Sequence, residues 1–390
     1  MTHEDSTTHH APATTPTWAI IAGGGTAGHL LPGLAVARTL VDRGHGADSI
    51  HFVGASRGIE ATLVPEAGFG ITLLPGRGVQ RRLTLANVAA VWGIVRAVVQ
   101  AVGLVRRRRP AVVLALGGFA SVACSLAAVL WRVPLVVAEQ NARAGAANRL
   151  VARFAAACAV PFAETDLPRA VVTGNPVRDE ILAVGAARDR DAARRQLGLP
   201  TDRTVLVAFA GSLGSRRVNE AVYGAVERWD DRTDLAIHHV VGARDWDARP
   251  RLEPGALHYQ AVRYEDRMDL VLAAADLAVC RSGGTTVAEL SVVGVPAVLV
   301  PLPIATRDHQ TANAGPLVRA GGAVVVADDR FDADRLVEEV EAILGAPAEP
   351  ATGRSRLEAM ARAAAREGRP DAADRVADLV EAHARGGARS

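Results

Sequence analysis

Lysine is missing from this chain: all 44 of its Lys and Arg residues are arginine. Coding bias accounts for that, and no function is drawn from it. The absence still excludes a Walker-type phosphate loop, which ends in Gly-Lys-Ser/Thr. Cysteine is scarce as well. Cys124, Cys158 and Cys280 are widely spaced, odd in number and without CxxC or zinc spacing. A disulfide framework is therefore not expected, and reduced thiols of a cytosolic protein are. Aromatic residues make up only 4 %, so the cores must be built from Ala, Val and Leu. A formal net charge of +2 points to no polyanionic partner. The start, MTHEDSTTHHAPATTPT, lacks the basic and apolar regions of a signal peptide, and residues 1–17 are expected to form a disordered tail.

What is present is apolar bulk. Hydrophobic residues are 49 % of 390, enough for two domains with sizeable cores. Between Arg109 and Arg132 no charge interrupts the chain, a length that could just span a bilayer. Pro110 and the pair Gly117-Gly118 argue instead for a buried strand, a turn and a helix.

Short apolar runs alternate with helical patterns throughout. WAIIAGG, IHFVGA, AVVLALGG, PLVVAEQ and AVVTG read as buried strands, and a second series restarts with TVLVAFAGS, LAIHHVVG, LAVCRSGG, PAVLVPLP and GAVVVAD. This is the pattern of parallel sheets covered by helices on both faces. The expected fold is α/β, with two Rossmann-like domains at 18–176 and 177–345 and a boundary near Pro176. A helical stretch within 346–390 is expected to pack back towards the first domain.

The segment AIIAGGGTAGHLLPGLAVARTL places glycines between a strand and a helix, an arrangement that brings backbone N–H groups close to an anion. GGGTAG can be forced onto a dinucleotide fingerprint, but the acidic residue expected after the second strand is missing from IHFVGASRG. Alone, the loop is equally a ligand site or a tight structural turn. GSLGSRRVNE, CRSGGTTVAEL and PIATRDHQTANA also follow predicted strands. Four such loops suggest a ligand between the domains, a nucleotide diphosphate being the simplest.

The motifs GGGTAGH, EQNARAGAANR, TGNPVR, GSLGSRRVNE, CRSGGTTVAEL and DHQTANA, in this order, are similar to those of a known family. From about Trp18 to Gly345 the chain resembles the N-acetylglucosaminyltransferases of peptidoglycan synthesis in glycosyltransferase family 28. The resemblance implies a GT-B fold, two Rossmann-like doubly wound domains facing across a cleft. The first would be the acceptor and membrane domain, the second the UDP-sugar donor domain. It implies inverting transfer of N-acetylglucosamine from UDP-GlcNAc to the 4-hydroxyl of MurNAc in undecaprenyl-linked lipid I, giving lipid II. No cofactor and no metal are implied, and no Asp-x-Asp stands at a strand end to hold one.

Residue by residue, the resemblance puts Thr26, Ala27, Gly28 and His29 at the cleft between donor and acceptor. Asn141 would touch the donor sugar side, and Arg178 and Ser212 the diphosphate. Tyr264 and Glu265 would stand where uracil is held. Gly284, Thr285, Thr286, Val287, Ala288 and Glu289 would form the helix N-terminus below the phosphates, with Glu289 on the ribose diol. His309, Gln310 and Asn313 would face the sugar. His29 suits a general base, since imidazole titrates near neutrality, and suits equally a turn cap or a donor to the acceptor pyrophosphate. Ala27 stands where members often have Gly, Leu213 where they often have Gln, and GGFASVACS is an atypical acceptor-side loop. These departures keep open a related transferase with another acceptor. A non-catalytic division scaffold and, more distantly, an oxidoreductase are the readings from other classes.

No acidic residue lies between Glu66 and Glu139, while nine arginines do, including Arg106, Arg107, Arg108 and Arg109. Leu85, Val88, Trp92, Val95, Val99 and Val102 recur at helical spacing, and Val91, Ile94, Val98 and Val105 form a second stripe. One stripe can serve the core. The other suits an anionic membrane surface, unless the helix is buried on both sides. The expected location is the cytoplasmic face of the plasma membrane, as a peripheral protein. Cell-wall or division proteins are candidate partners; nucleic acid is not, for want of aromatics among the arginines.

Overall fold

The computed structural model describes residues 16–56, 58–75, 85–211, 213–345 and 350–385, and for 85–92, 94 and 350–352 the backbone alone. Of the tail expected over 1–17, residues 1–15 lie outside this set. Thr17 is buried and accepts a hydrogen bond from Arg108 at 2.9 Å.

The first domain runs β1 (Ala19–Gly23), α1 (Ala27–Asp42), β2 (Ile50–Ala55), α2 (Glu60–Glu66), β3 (Gly70–Leu74), α3 (Leu85–Arg108), β4 (Val112–Gly117), α4 (Gly118–Leu130), β5 (Leu135–Ala138), α5 (Ala146–Ala152), β6 (Ala157–Val160) and β7 (Ala170–Val172). Its strands form one sheet in the order β3-β2-β1-β4-β5-β6-β7, every pair parallel. The apolar run after Arg109 is thus β4 and α4. No described helix is long and apolar enough to cross a membrane.

The second domain continues with α6 (Asp179–Ala186), α7 (Arg190–Leu197), β8 (Thr204–Phe209), α8 (Arg216–Arg228), β9 (Leu235–Val240), β10 (His258–Val262), α9 (Met268–Ala274), β11 (Leu277–Cys280), α10 (Gly284–Val293), β12 (Ala297–Leu299), α11 (His309–Arg319), β13 (Ala323–Val325), α12 (Ala333–Leu344), α13 (Pro350–Arg366) and α14 (Ala372–His383). Its sheet is parallel throughout, in the order β10-β9-β8-β11-β12-β13.

The central strands are continuous apolar runs because helices cover both faces, so side chains pointing either way are buried. Helices present a stripe: Leu336, Val340 and Ile343 of α12 are buried, and Asp332 caps its start by accepting from Arg335 N at 2.9 Å. Ala, Val and Leu dominate the clusters on both faces of each sheet.

Helix α14 returns to the first domain. Val376, Ala377 and Val380 join the core formed by Ile21, Leu34 and Phe52, and Arg43 bonds Asp374, Asp378 and Glu381 at 2.7–2.8 Å.

Along α3, Ala97, Ala101, Leu104 and Val105 are buried, with Val98 and Val102 packed against them. The side chains of Trp92 and Ile94 lie outside the described residues. Val95 and Val99 are 45 % and 65 % exposed. Neighbouring α4 adds exposed Leu126 and Leu130, followed by Trp131. Arg106 lies over the Trp131 ring at 5.4 Å from its centroid. Arg107 and Arg109 are exposed, whereas Arg108 turns inward to Thr17.

Candidate active site

In the first sheet the order reverses between β1 and β4, and in the second between β8 and β11. Loops diverge at such points and leave a crevice beyond the carboxyl ends of the strands. GGGTAGH follows β1, EQNARAG follows β5, GSLGS follows β8, CRSGG follows β11 and the PIATRDH segment follows β12.

These loops meet across the crevice. A Cβ built on Gly28 would stand 3.8 Å from Thr285 Oγ1, and one on Gly284 would collide with the Gln140 carbonyl. Ala142 N donates to Asn313 Oδ1 at 2.8 Å, and Asn313 Nδ2 donates to Asn141 Oδ1 and to the Ser282 carbonyl, each at 3.1 Å. Arg143 donates to the Arg307 carbonyl at 2.8 Å, while Arg307 pairs with Asp166 at 2.9 Å. Asn141 and Asn313, which the resemblance directs to the sugar, are here committed to protein: Asn313 Nδ2 donates across the cleft to Asn141 Oδ1, and Asn141 Nδ2 donates to Glu139.

His29 is the third residue of α1, in its first turn, where the chain folds helically just after the Gly23–Gly25 run. Its Nδ1 is 3.1 Å from Thr26 Oγ1. Its Nε2 borders the loop after β4: a Cβ on Gly117 would stand 3.2 Å from it. The ring is half-buried. Burial holds its pKa below the ordinary 6.5, opposed by the charges of Glu139 and, after the push of His309, Glu60. Burial thus favours the neutral ring, the form that can take a proton.

On the opposite wall, α10 begins at Gly284 with no side chain capping its N-terminus. The first-turn N–H groups and the helix dipole thus face the crevice beside Thr285 and Thr286. One turn in, Glu289 is buried, and Arg178 reaches its Oε1 with Nη2 at 3.1 Å and Nε at 3.3 Å. Burial pushes the Glu289 carboxyl above the usual range, and Arg178 pulls it back. Val287 is buried and Ala288 half-buried in the same turn. Arg178 also lines a cavity of about 210 Å³ with Leu31, Leu34, Arg38, Asp266 and Arg267. Tyr264, 54 % exposed, and Glu265, which accepts from Arg267 N at 2.9 Å, lie on the adjoining loop. Gln310 accepts from Leu302 N at 3.0 Å, and His309 Nδ1 donates to the Thr306 carbonyl at 2.9 Å. Ser212 lies outside the described residues; its neighbour Leu213 is 64 % exposed. No group of three or more His, Cys, Asp and Glu among the described residues could hold a metal ion.

Three charged residues at the crevice escaped the sequence reading. Glu60, fully buried, accepts from Gly25 N at 3.0 and 3.2 Å and from Ala55 N at 2.7 Å. Glu139 accepts from the backbone N of Gln140, Asn141 and Gly145 and from the Asn141 and Asn148 amides, all at 2.9–3.1 Å, and so holds the EQNARAG loop together. Arg281 ties three donor-side loops, reaching Ser215 Oγ at 2.6 Å, the carbonyls of Val300 and Pro301, and Asp328. The acidic residue inside EQN was a legible signal for the second; the others are defined by partners distant in the chain.

Comparison with known proteins agrees with this geometry. The description Glycosyltransferase family 28 N-terminal domain matches residues 19–160, and Glycosyltransferase family 28 C-terminal domain matches 204–376. A relative from Desulforudis audaxviator, named UDP-N-acetylglucosamine--N-acetylmuramyl-(pentapeptide) pyrophosphoryl-undecaprenol N-acetylglucosamine transferase, is 37 % identical over 93 % of this chain and 97 % of its own. One of the same name from Mycobacterium avium is 42 % identical over 94 % and 88 %. Among solved structures, Acinetobacter baumannii MurG superposes with a TM-score of 0.74 at 27 % identity, covering 94 % of this chain and all of that one.

Proposed function

Since the chain belongs to glycosyltransferase family 28, we infer that it transfers N-acetylglucosamine from UDP-N-acetylglucosamine to undecaprenyl-linked N-acetylmuramyl-pentapeptide, converting lipid I to lipid II. The observation that carries this reading is the meeting of the GGGTAGH loop with the uncapped start of α10, Gly28 against Thr285, in one interdomain crevice.

The donor lies with its diphosphate over the first turn of α10, where free N–H groups and the dipole favour anionic oxygens. Thr285 and Thr286 add hydroxyls there. Glu289 takes the ribose diol: both Arg178 bonds end on Oε1, which leaves Oε2 to accept. Uracil occupies the cavity beside Tyr264 and Glu265. The sugar faces His309 and Gln310 above the Asn141–Asn313 pair, which joins the two walls, and Thr26, Ala27 and Gly28 close the site from the other domain.

The acceptor 4-hydroxyl attacks the anomeric carbon from the face opposite the diphosphate. His29 takes the hydroxyl proton, the new C–O bond forms, and the bond to the β-phosphate oxygen breaks with its electron pair going to UDP. Inversion gives a β-1,4 linkage. The α10 N-terminus stabilises the charge that grows on the leaving oxygen.

With a lipid-linked acceptor, we propose that the first domain works at the cytoplasmic face of the plasma membrane. Val95, Val99, Leu126, Leu130 and Trp131, beside Arg96, Arg106 and Arg132, are the surface we assign to that contact, with Trp92 and Ile94 on the same helix. Apolar side chains ringed by cations suit anionic lipid.

Turnover of UDP-N-acetylglucosamine with a soluble lipid I analogue tests the reading. Release of UDP with formation of the disaccharide product is expected. Tight UDP binding without transfer to that acceptor would overturn it.

A further inference from the structure

Glu60 stands where an α/β nucleotide-binding domain ordinarily receives its ligand's phosphate: under a glycine loop, at the carboxyl end of β1. Its carboxylate is 0 % exposed. It takes the Gly25 N–H with both oxygens and the Ala55 N–H with one. The niche is shaped for it. A Cβ added at Gly24, Gly54 or Gly58 would collide with the Glu60 side chain, so a glycine after β1, one within β2 and one before α2 make its room. Gly24, with φ +143°, also holds a backbone conformation open to glycine. Among the described residues no cationic side chain pairs with it; a buried carboxylate so placed is costly, and such a group persists where it is fully hydrogen-bonded and useful.

We propose that Glu60 is a positioning residue of the transfer reaction: an internal anion that fills the phosphate niche of the first domain, fixes the backbone leading into Thr26, Gly28 and His29, and lends negative charge to the surroundings of His29. The proposal rests on His29 being the general base. In the transition state that imidazole becomes a cation, and a nearby fixed anion stabilises it without receiving the proton. The charged or titratable groups around His29 are Glu60 from α2, Glu139 from the loop after β5 and His309 from α11. Filling the niche also directs a donor's diphosphate away from Gly25 and towards α10.

The test compares Glu60→Gln, Glu60→Asp and His29→Ala in the full chain, with rates normalised to folded protein. Glu60→Gln keeps the shape but loses the charge and one of two acceptors. Its kcat should fall roughly 10- to 100-fold, as expected for a misplaced reacting group, with the donor KM within about twofold. The acid limb of its pH–rate profile should move to lower pH, because one of the charges that raise the His29 pKa is gone. Glu60→Asp should lower kcat yet leave that limb in place. A melting temperature that falls while kcat and the acid limb stay at wild-type values would reduce Glu60 to a structural role and overturn the proposal. Should Glu60→Gln not fold, Glu60→Asp decides: an unchanged kcat or a shifted limb refutes it. If His29→Ala turns over normally, the base reading fails. If His29→Ala is inactive while Glu60→Gln behaves as wild type, the Glu60 proposal alone fails.

Discussion

Replacing Arg178 by Met isolates what a single guanidinium does for the donor site. Glu289 is 8 % exposed, and two hydrogen bonds from Arg178, at 3.1 and 3.3 Å, end on its Oε1. Bonds to a charged group contribute about 1.5–3 kcal/mol. The Arg178 side chain is 25 % exposed, which screens the pair, so a loss near ~2 kcal/mol is expected. Expressed in full at the nucleotide site, a loss of that size sets an upper limit of roughly 30-fold weaker UDP binding. The pH dependence has a definite sign. Burial already raises the Glu289 pKa and Arg178 opposes it. Without Arg178 the pKa climbs further, and the ionised form that accepts from the ribose is lost sooner on acidification. The affinity deficit should therefore widen from pH 8 to pH 6. Stability runs the other way. A folded-state pKa raised above the unfolded value gives stabilisation that is full below the unfolded pKa and is lost as pH rises through the folded one. The melting-temperature deficit of the variant should be greatest at pH 8. Calorimetric titration with UDP and with uridine reads both effects. If uridine binds the variant within about threefold of wild type with an unchanged pH slope, Arg178 acts on the diphosphate and not through Glu289, and the reasoning is wrong.

Other outcomes follow from the same geometry. His29→Gln should lower kcat by roughly 10²- to 10⁴-fold, the range of general-base catalysis, with UDP affinity retained; wild-type kcat/KM should show an acid limb below pH 6.5, because burial lowers the His29 pKa. Asn313→Ala removes three hydrogen bonds and leaves the Ala142 N–H without its acceptor. A cost of about 2–4 kcal/mol should appear as a lower melting temperature, and solution scattering should detect a wider cleft. The double variant Val95→Ser, Val99→Ser changes exposed side chains, so sedimentation with anionic vesicles should weaken while thermal stability stays put; unchanged vesicle binding would remove α3 from the membrane contact.

The strand series was readable where both faces of a strand are buried. β1, β2, β4 and β5 and the central strands of the second sheet are apolar runs with glycine or proline close by at one end or the other. The edge strand β7 was read from its apolar AVV run but as a buried strand, whereas its three residues are exposed; β3 and β10, also at edges, escaped because their residues are for the most part exposed or only partly buried and carry polar positions such as Thr72, His258 and Gln260. β6 is four residues, ACAV, too small-sided to stand out from its surroundings. The motif loops were readable because glycine, hydroxyl and charged residues after a strand are costly unless a turn or a ligand needs them.

Sequence alone determined the α/β class, the pair of domains, and the residue types that line the crevice, since local patterning and glycine placement are properties of short segments. Tertiary structure decided which atoms those residues touch. Asn141 and Asn313 are 172 positions apart, Arg178 and Glu289 are 111, and Glu60 reaches Gly25 across 35. No periodicity encodes such pairs. They exist because two parallel sheets reverse direction at facing points and bring loops of distant origin within hydrogen-bonding reach, where a buried polar group must find whichever partner the fold delivers.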